Sequence, residues 1–410
     1  MNKVHRTIWN EALSAWVAVS EITKSHIKSK RAKRLLAALA LGTALGSALA
    51  APPNPPAATA LPTGGVVAAG AATIGQTLTP SSAVMTINQT TQRAAINWNT
   101  FNVGAASTIN IQQPNAQAVL MNRVLDSNPS QIFGKITAPG QVYLVNPNGV
   151  YFSPTASVDV GGLVATTHSM SDADFMVGST TFKRNGATGS IENEGELRAK
   201  LDGYIALLAP NVVNQGVIVA ERGTAFLASG ESITLDFNAA NKLTGIVVTA
   251  SDVASLIENR QAIETPDGQI IMGAQSVSKL QGSLIKNSGT LLANEGASSI
   301  THKGGRILLE GDDITLSSTS KIEAKGSQGG GTVLVGGDWQ GSNGVYQATK
   351  TVMEAGATID ASATVNGDGG KVVLWSDVRN AASVTTAVGS IKAEAGNEQL
   401  KSNAKLLRGV

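Results

Sequence analysis

The chain has 410 residues, a formal net charge of +2, no cysteine, and only 4% aromatic residues beside 44 glycines. That balance excludes disulfide frameworks, thiolate metal sites and cysteine nucleophiles, and it is unusual for a compact enzyme. The basic sign belongs to the first fifty residues, which hold eight Lys or Arg against Glu11 and Glu21; beyond them 23 basic residues face 27 acidic ones, so nothing points to nucleic acid as a partner.

In chain order, the first element is a signal. Lys28-Ser-Lys-Arg-Ala-Lys-Arg34 precedes an uncharged apolar run from Leu35 to Ala50, too short to span a bilayer as a helix. Small residues at Ala48 and Ala50 suit a signal peptidase, so residues 1–50 read as a cleaved signal that addresses the chain to the general secretory pathway. Upstream, the stretch holding Trp9-Asn10-Glu11 and Trp16-Val17-Ala18 adds a second charged and aromatic block, and it resembles the extended signal peptide region of large bacterial exoproteins. Residues 51–70, with Pro52, Pro53, Pro55, Pro56 and Pro62, read as a linker at the mature end.

Residues 71–170 carry several spaced motifs in one order. They are Asn97-Trp98 with Phe101, then Asn122-Arg123-Val124, then Ser130-Gln131-Ile132 with Gly134, then Asn146-Pro147-Asn148-Gly149. This series resembles the N-terminal domain of filamentous haemagglutinin-like proteins. The resemblance implies a two-partner secretion domain, over about 71–300, recognised by the periplasmic domains of a dedicated outer-membrane β-barrel transporter. It also implies a Gram-negative, secreted or cell-surface exoprotein with adhesive function, whose host or neighbouring-cell ligand the sequence does not name. A second Asn-Pro-Asn motif usual in that family has no clear counterpart, the early positions offering only Gln113-Pro114-Asn115. Physically, Asn146-Pro147-Asn148-Gly149 is first a turn: proline fixes φ, asparagine bonds its own backbone, and glycine accepts positive φ. The structural role and transporter contact are both open at this point.

Beyond residue 180 a degenerate repeat appears. Asn-x-Gly-x-(Leu or Ile)-x-Ala occurs at 193–199, 214–220 and 287–293, and glycine followed by an apolar run recurs at 203–208, 223–227, 305–309, 331–335 and 370–375. Each pair is expected to supply two faces of one coil, so the fold class is all-β: a right-handed parallel β-helix with an N-terminal cap and short extra-helical β elements. The asparagine before each glycine sits where coils turn and is expected to ladder with its neighbours through side-chain amides. The stretch 236–285 is expected to hold a short helix or an excursion. Residues 301–410 read as further repeats, a shaft beginning that the sequence leaves short or truncated.

Catalytic equipment is not recognisable. His168 and His302 read as ordinary loop or surface histidines without acidic partners at ligand spacing, and no metal or cofactor is expected. Two rival readings remain. A β-helical carbohydrate-active enzyme would depend on Asp312 and Asp313, and an autotransporter passenger would need a C-terminal barrel that the sequence does not display.

Overall fold

The computed structural model describes residues 5–10, 15–20, 54–239, 242–277, 283–297 and 299–396. They fall into two units, one up to Pro52 and one from Pro53 onward. In the first, His5–Asn10 and Ala15–Ser20 pair antiparallel, with Trp9 opposite Trp16. The expected cleavage residues Ala48 and Ala50 lie outside the described residues.

In the second unit the chain winds into a parallel β-helix whose coils have three strands each, not the two faces that the repeats suggested. One coil shows the plan: Asn211–Asn214, Val217–Ala220 and Thr224–Ser229 follow one another, and each pairs in parallel with its counterparts on the coils before and after. The three positions build an asparagine-ended row, an alternating row and a covered row. In the alternating row, Val217–Ala220 buries every second side chain, which is why its sequence reads as leucine or isoleucine and alanine spaced by polar residues. In the covered row, Thr224–Ser229 is buried at all six positions. Its inward side chains Ala225 and Leu227 join the coil interior, and its outward side chains Phe226 and Ala228 join a second core. Burial on both faces accounts for the uninterrupted apolar runs that follow glycine.

Corner glycines reflect close approach of one coil to the next. Gly216 does not need positive φ, but a Cβ there would stand 2.1 Å from the Gly195 carbonyl oxygen of the preceding coil. Only hydrogen fits between the stacked backbones.

The first coil is closed by antiparallel strands. Val66–Ala69 pairs with Arg93–Trp98, and Ala72–Leu78 pairs with Ala83–Gln89, covering edges that would otherwise stand open. The stretch read as a linker takes part in this cap. Ala58 and Ala60 accept backbone hydrogen bonds from Ala106 (2.7 Å) and Gly104 (2.9 Å), Thr63 exchanges backbone bonds with Asn99 and Thr100, and Leu61 is buried. Prolines suit such a segment because a sheet's last strand need not donate on its outer side.

Two excursions leave at the corner between the covered and asparagine-ended rows and fold back over the covered row. Residues 167–189 contain the short helix Asp172–Met176 and the strand Thr181–Lys183; residues 230–254 contain the hairpin Ser232–Phe237 with Leu243–Thr249. The three strands form one antiparallel sheet. Of the two forms expected within 236–285, the excursion is present as a β-hairpin, and Ser255–Asn259 is a strand of the asparagine-ended row.

His168 is not a surface residue. It is fully buried where the excursions meet, with Nε2 2.8 Å from the Gly230 carbonyl oxygen and Nδ1 without a hydrogen-bond partner. Beside it Arg184 pairs with Glu231 at 2.6 Å and Asp252 at 2.7 Å, tying one excursion to the other. Burial holds the imidazole below its ordinary value of 6.5, with the Gly230 and Leu208 backbone carbonyls and the charge of Glu231 opposing the shift and Arg184 adding to it.

The amide ladder is present. Asn193, Asn214, Asn259 and Asn287 are fully buried at one corner, each donating its Nδ2 to the next Oδ1 at 2.8 Å, and Asn287 ends the run on Ser320 Oγ at 2.6 Å. Each link satisfies a donor and an acceptor that have no access to water.

Two measurements follow from these contacts. Asn214→Ala strands the amide groups on both sides of it and is expected to cost about 1–3 kcal/mol in urea denaturation, whereas Gln215→Ala, at a half-buried position whose side chain reaches only Glu194 and Arg260, should cost less than about 1 kcal/mol. For His168 the full stability is present above the unfolded-state value of 6.5 and is lost as pH falls towards the lower folded value, because the unfolded chain binds the proton first. The melting temperature should therefore drop between pH 7.5 and pH 5, and the drop should shrink in His168→Gln.

Candidate functional site

The motif residues of the first coils fall on one corner and the covered row beside it. Asn146-Pro147-Asn148-Gly149 joins Gln141–Val145 of the covered row to Val150–Phe152 of the asparagine-ended row. Gly149 N–H donates to the Asn146 carbonyl at 3.0 Å, closing a β-turn, and Asn148 N–H donates to Asn146 Oδ1 at 3.0 Å, adding an Asx turn inside it. Gly149 has φ of 118°, and a Cβ there would lie 2.7 Å from the Ser190 carbonyl oxygen.

The two asparagines have different environments. Asn146 is fully buried and donates Nδ2 to the Asn128 carbonyl at 2.9 Å and to Ser130 Oγ at 3.0 Å, so its amide is consumed by the fold. Asn148 is exposed, with Nδ2 donating to the Asp126 carbonyl at 2.9 Å. Any partner that reads this turn meets Asn148 and the half-buried Pro147 and cannot touch Asn146.

Ser130 and Ile132 are buried on the strand that stacks beneath Val150–Phe152, and the Gln131 backbone is fixed by Asn102 Oδ1 at 2.9 Å. Gly134 turns out of that strand at a point where a Cβ would come within 2.2 Å of the Ser107 carbonyl oxygen. Trp98 is buried edge-on to Phe101, with ring centroids 5.7 Å apart, and donates Nε1 to Asn122 Oδ1 of the next coil at 3.0 Å. In the adjacent register, Asn97 accepts from Arg123 at 3.2 Å. Arg123 also donates to the Met170 carbonyl at 2.8 Å and pairs with Asp172 at 2.7 Å, so it holds the short helix down on the covered row. Val124 is buried at the end of its strand.

The candidate positions are thus brought together, but as a packing and corner network with no reactive group aimed at solvent. Sequence reasoning missed Asn102, Asp126 and Asn128. Two of these act through backbone carbonyls, for which the sequence carries no side-chain signal. Gln113-Pro114-Asn115 forms a comparable corner on the other side of the covered row, where Gln113 bridges Gln89, Ala118, Gly140 and Gln141.

Elsewhere, Asp312 is buried and accepts from Ser283 at 2.8 Å and from the Tyr346 hydroxyl, and Asp313 pairs with Lys350 at 3.0 Å; both act as structural carboxylates. His302 does have an acidic partner, Glu295 at 2.7 Å, whose carboxyl is drawn down to about 2 chiefly by that contact. Among the described residues no three His, Asp or Glu side chains gather to hold a metal.

Residues 58–324 match the TPS secretion domain, and residues 1–50 match the extended signal peptide of the type V secretion system. A heme/hemopexin-binding protein of Haemophilus influenzae is 30% identical over 248 residues, covering 59% of this chain and 26% of that protein. The chain therefore spans about a quarter of the length of that relative. The autotransporter adhesin NhhA of Neisseria meningitidis is 46% identical over 54 residues, 13% of this chain and 9% of that protein. The crystal structure of the HMW1 secretion domain from Haemophilus influenzae matches with a TM-score of 0.65 and 27% identity, covering 82% of this chain and 91% of that one.

The different burial of the two turn asparagines gives a direct check. Asn146→Ala leaves the Ser130 hydroxyl and the Asn128 carbonyl without their donor and is expected to destabilise by about 1–3 kcal/mol in urea unfolding, while Asn148→Ala should cost less than about 1 kcal/mol.

Proposed function

Because the chain belongs to the TPS secretion domain family and carries that system's extended signal peptide, we propose that it is an exoprotein which a cognate outer-membrane transporter recognises in the periplasm and passes to the cell surface, where it acts as a haemagglutinin-like adhesin without catalytic activity. The observation that carries the reading is the match of the secretion domain to residues 58–324 behind a signal at residues 1–50. Its export across the outer membrane follows from the family; the partner and the adhesive role are our reading.

The transporter-facing surface in this reading is the corner at Pro147 and Asn148, the exposed part of the turn. Asn146, Trp98, Asn122 and Arg123 act behind it by setting its shape. The fold also suits stepwise assembly outside the cell. Each coil pairs only with the coils before and after it, and the antiparallel cap gives the stack a closed start. Every coil that docks buries new inward side chains, the large aliphatic ones contributing roughly 1.5–3 kcal/mol each. Backward sliding through a pore would have to expose them again. The haem binding in the relative's name belongs to that protein, of which this chain covers 26%, and is no part of this reading.

Co-expression with the cognate transporter, followed by fractionation of cells and medium, tests the export step. Deletion of residues 71–170 should abolish surface appearance and leave the chain in the periplasm. Asn148→Ala should reduce export severalfold while the purified variant keeps its stability; normal export of the deletion would sink the reading, and normal export of Asn148→Ala would confine the turn to a structural role.

A further inference from the structure

The second core is apolar along most of the covered row, but at the end away from the corner where the excursions leave it turns polar. Tyr143, Tyr204 and Gln141 are 2%, 2% and 7% exposed, and their polar ends converge. Gly162 makes this possible. It stands between Gln141 and Tyr204 in the stack, and a Cβ there would lie 2.8 Å from the Tyr204 ring, so the ring leans across the empty position to reach the coil below. The Tyr204 hydroxyl donates to Gln141 Oε1 at 2.6 Å, and the Tyr143 and Tyr204 oxygens are 3.3 Å apart. With the Tyr204 proton committed to Gln141, the Tyr143 proton is free to turn to another acceptor. Burial raises both phenols above their usual range, so both stay protonated.

These groups open into two adjoining cavities. One, of about 330 Å³, is lined by Arg93, Tyr143 and Phe237 among others; the second, of about 140 Å³, reaches Lys200 and Tyr204; Gln117 and Gln141 border both. The larger lies at the lower end of small-ligand sites, which run roughly 300–1,000 Å³. Phe237 stands edge-on to Tyr204 at 5.4 Å, giving the site an apolar wall. Lys200 is already paired with Asp159 at 2.6 Å. Arg93 is different: its guanidinium lies 5.2 Å over the Phe175 ring and donates to the Phe175 carbonyl at 3.2 Å, and no ion pair among the described residues uses it. A half-buried guanidinium beside a cavity, without a carboxylate of its own, matches the planar geometry of an incoming one.

We propose that this cleft binds a carboxylated sugar, a uronic-acid unit, with its carboxylate on Arg93, its ring hydroxyls on Gln117, Gln141 and Tyr143, and its apolar edge against Phe237. Amide and phenol groups at several heights suit a polyhydroxylated ligand better than a simple anion, which would need only the arginine. The inference goes beyond the export reading, and it concerns the folded chain, so its failure leaves that reading standing.

The test is calorimetric titration of the purified, folded full chain with glucuronate, glucose, acetate and tri-glutamate. Glucuronate should bind, and glucose and acetate should each bind at least about tenfold more weakly. Arg93→Gln should weaken glucuronate at least about tenfold, and Tyr143→Phe, which keeps the ring, by about threefold to tenfold. If Arg93→Gln does not fold, Tyr143→Phe and the exposed Gln117→Ala decide the matter. No detectable glucuronate binding, equal affinity for acetate, tighter binding of tri-glutamate, or unchanged affinity in the folded variants would each overturn the assignment.

Discussion

The pairing of each strand with the same strand one coil away is the constraint on which the rest of the molecule depends. Backbone donors and acceptors are satisfied between coils and not within them, so the coils must stay in register at every corner. Corners can then hold only residues that permit close approach or that bond to their own counterparts. Gly216 illustrates the first, facing the Gly195 carbonyl at a distance no side chain allows. The asparagine ladder from Asn193 to Asn287 illustrates the second, converting a buried polar corner into a run of amide bonds.

A three-sided coil has three outer faces, and the described excursions cover one of them. Both excursions leave from the same corner and return over the same row, because its outward side chains are apolar and would otherwise face water. Arg123 anchors the first excursion to the coil, and Arg184 joins it to the second. At the far end of the covered row from that corner, Gly162 removes one outward side chain and Tyr204 occupies the space, which draws polar groups together there. That absent Cβ lets the Tyr204 hydroxyl reach Gln141, which borders both cavities.

The motif positions carry a related lesson about family resemblance. Trp98, Asn122, Ser130, Gly134 and Asn146 are all turned inward or consumed by neighbouring groups. A recognisable pattern of residues in this domain therefore marks the parts that shape the first coils. What those residues leave exposed includes Asn148 beside its buried companion Asn146.

Much of this was legible in the chain itself. The alternation in Val217–Ala220, the apolar run at 225–228 and the asparagine–glycine corners predicted a stacked β-helix, and the amide ladder followed from their spacing, because one-coil repetition places identical side chains against each other. The sequence did not determine the third strand of each coil, whose short segments carry no glycine signal of their own. Nor did it place His168 in the interior, assign the proline-rich stretch to the cap, or bring Arg93, Gln141, Tyr143 and Tyr204 to one cleft. Those positions are set by contacts between residues some 20 to 110 apart, and only the stacking of coils brings them together: local pattern encodes the strand, whereas the neighbours of a strand depend on how many residues the chain spends before it returns.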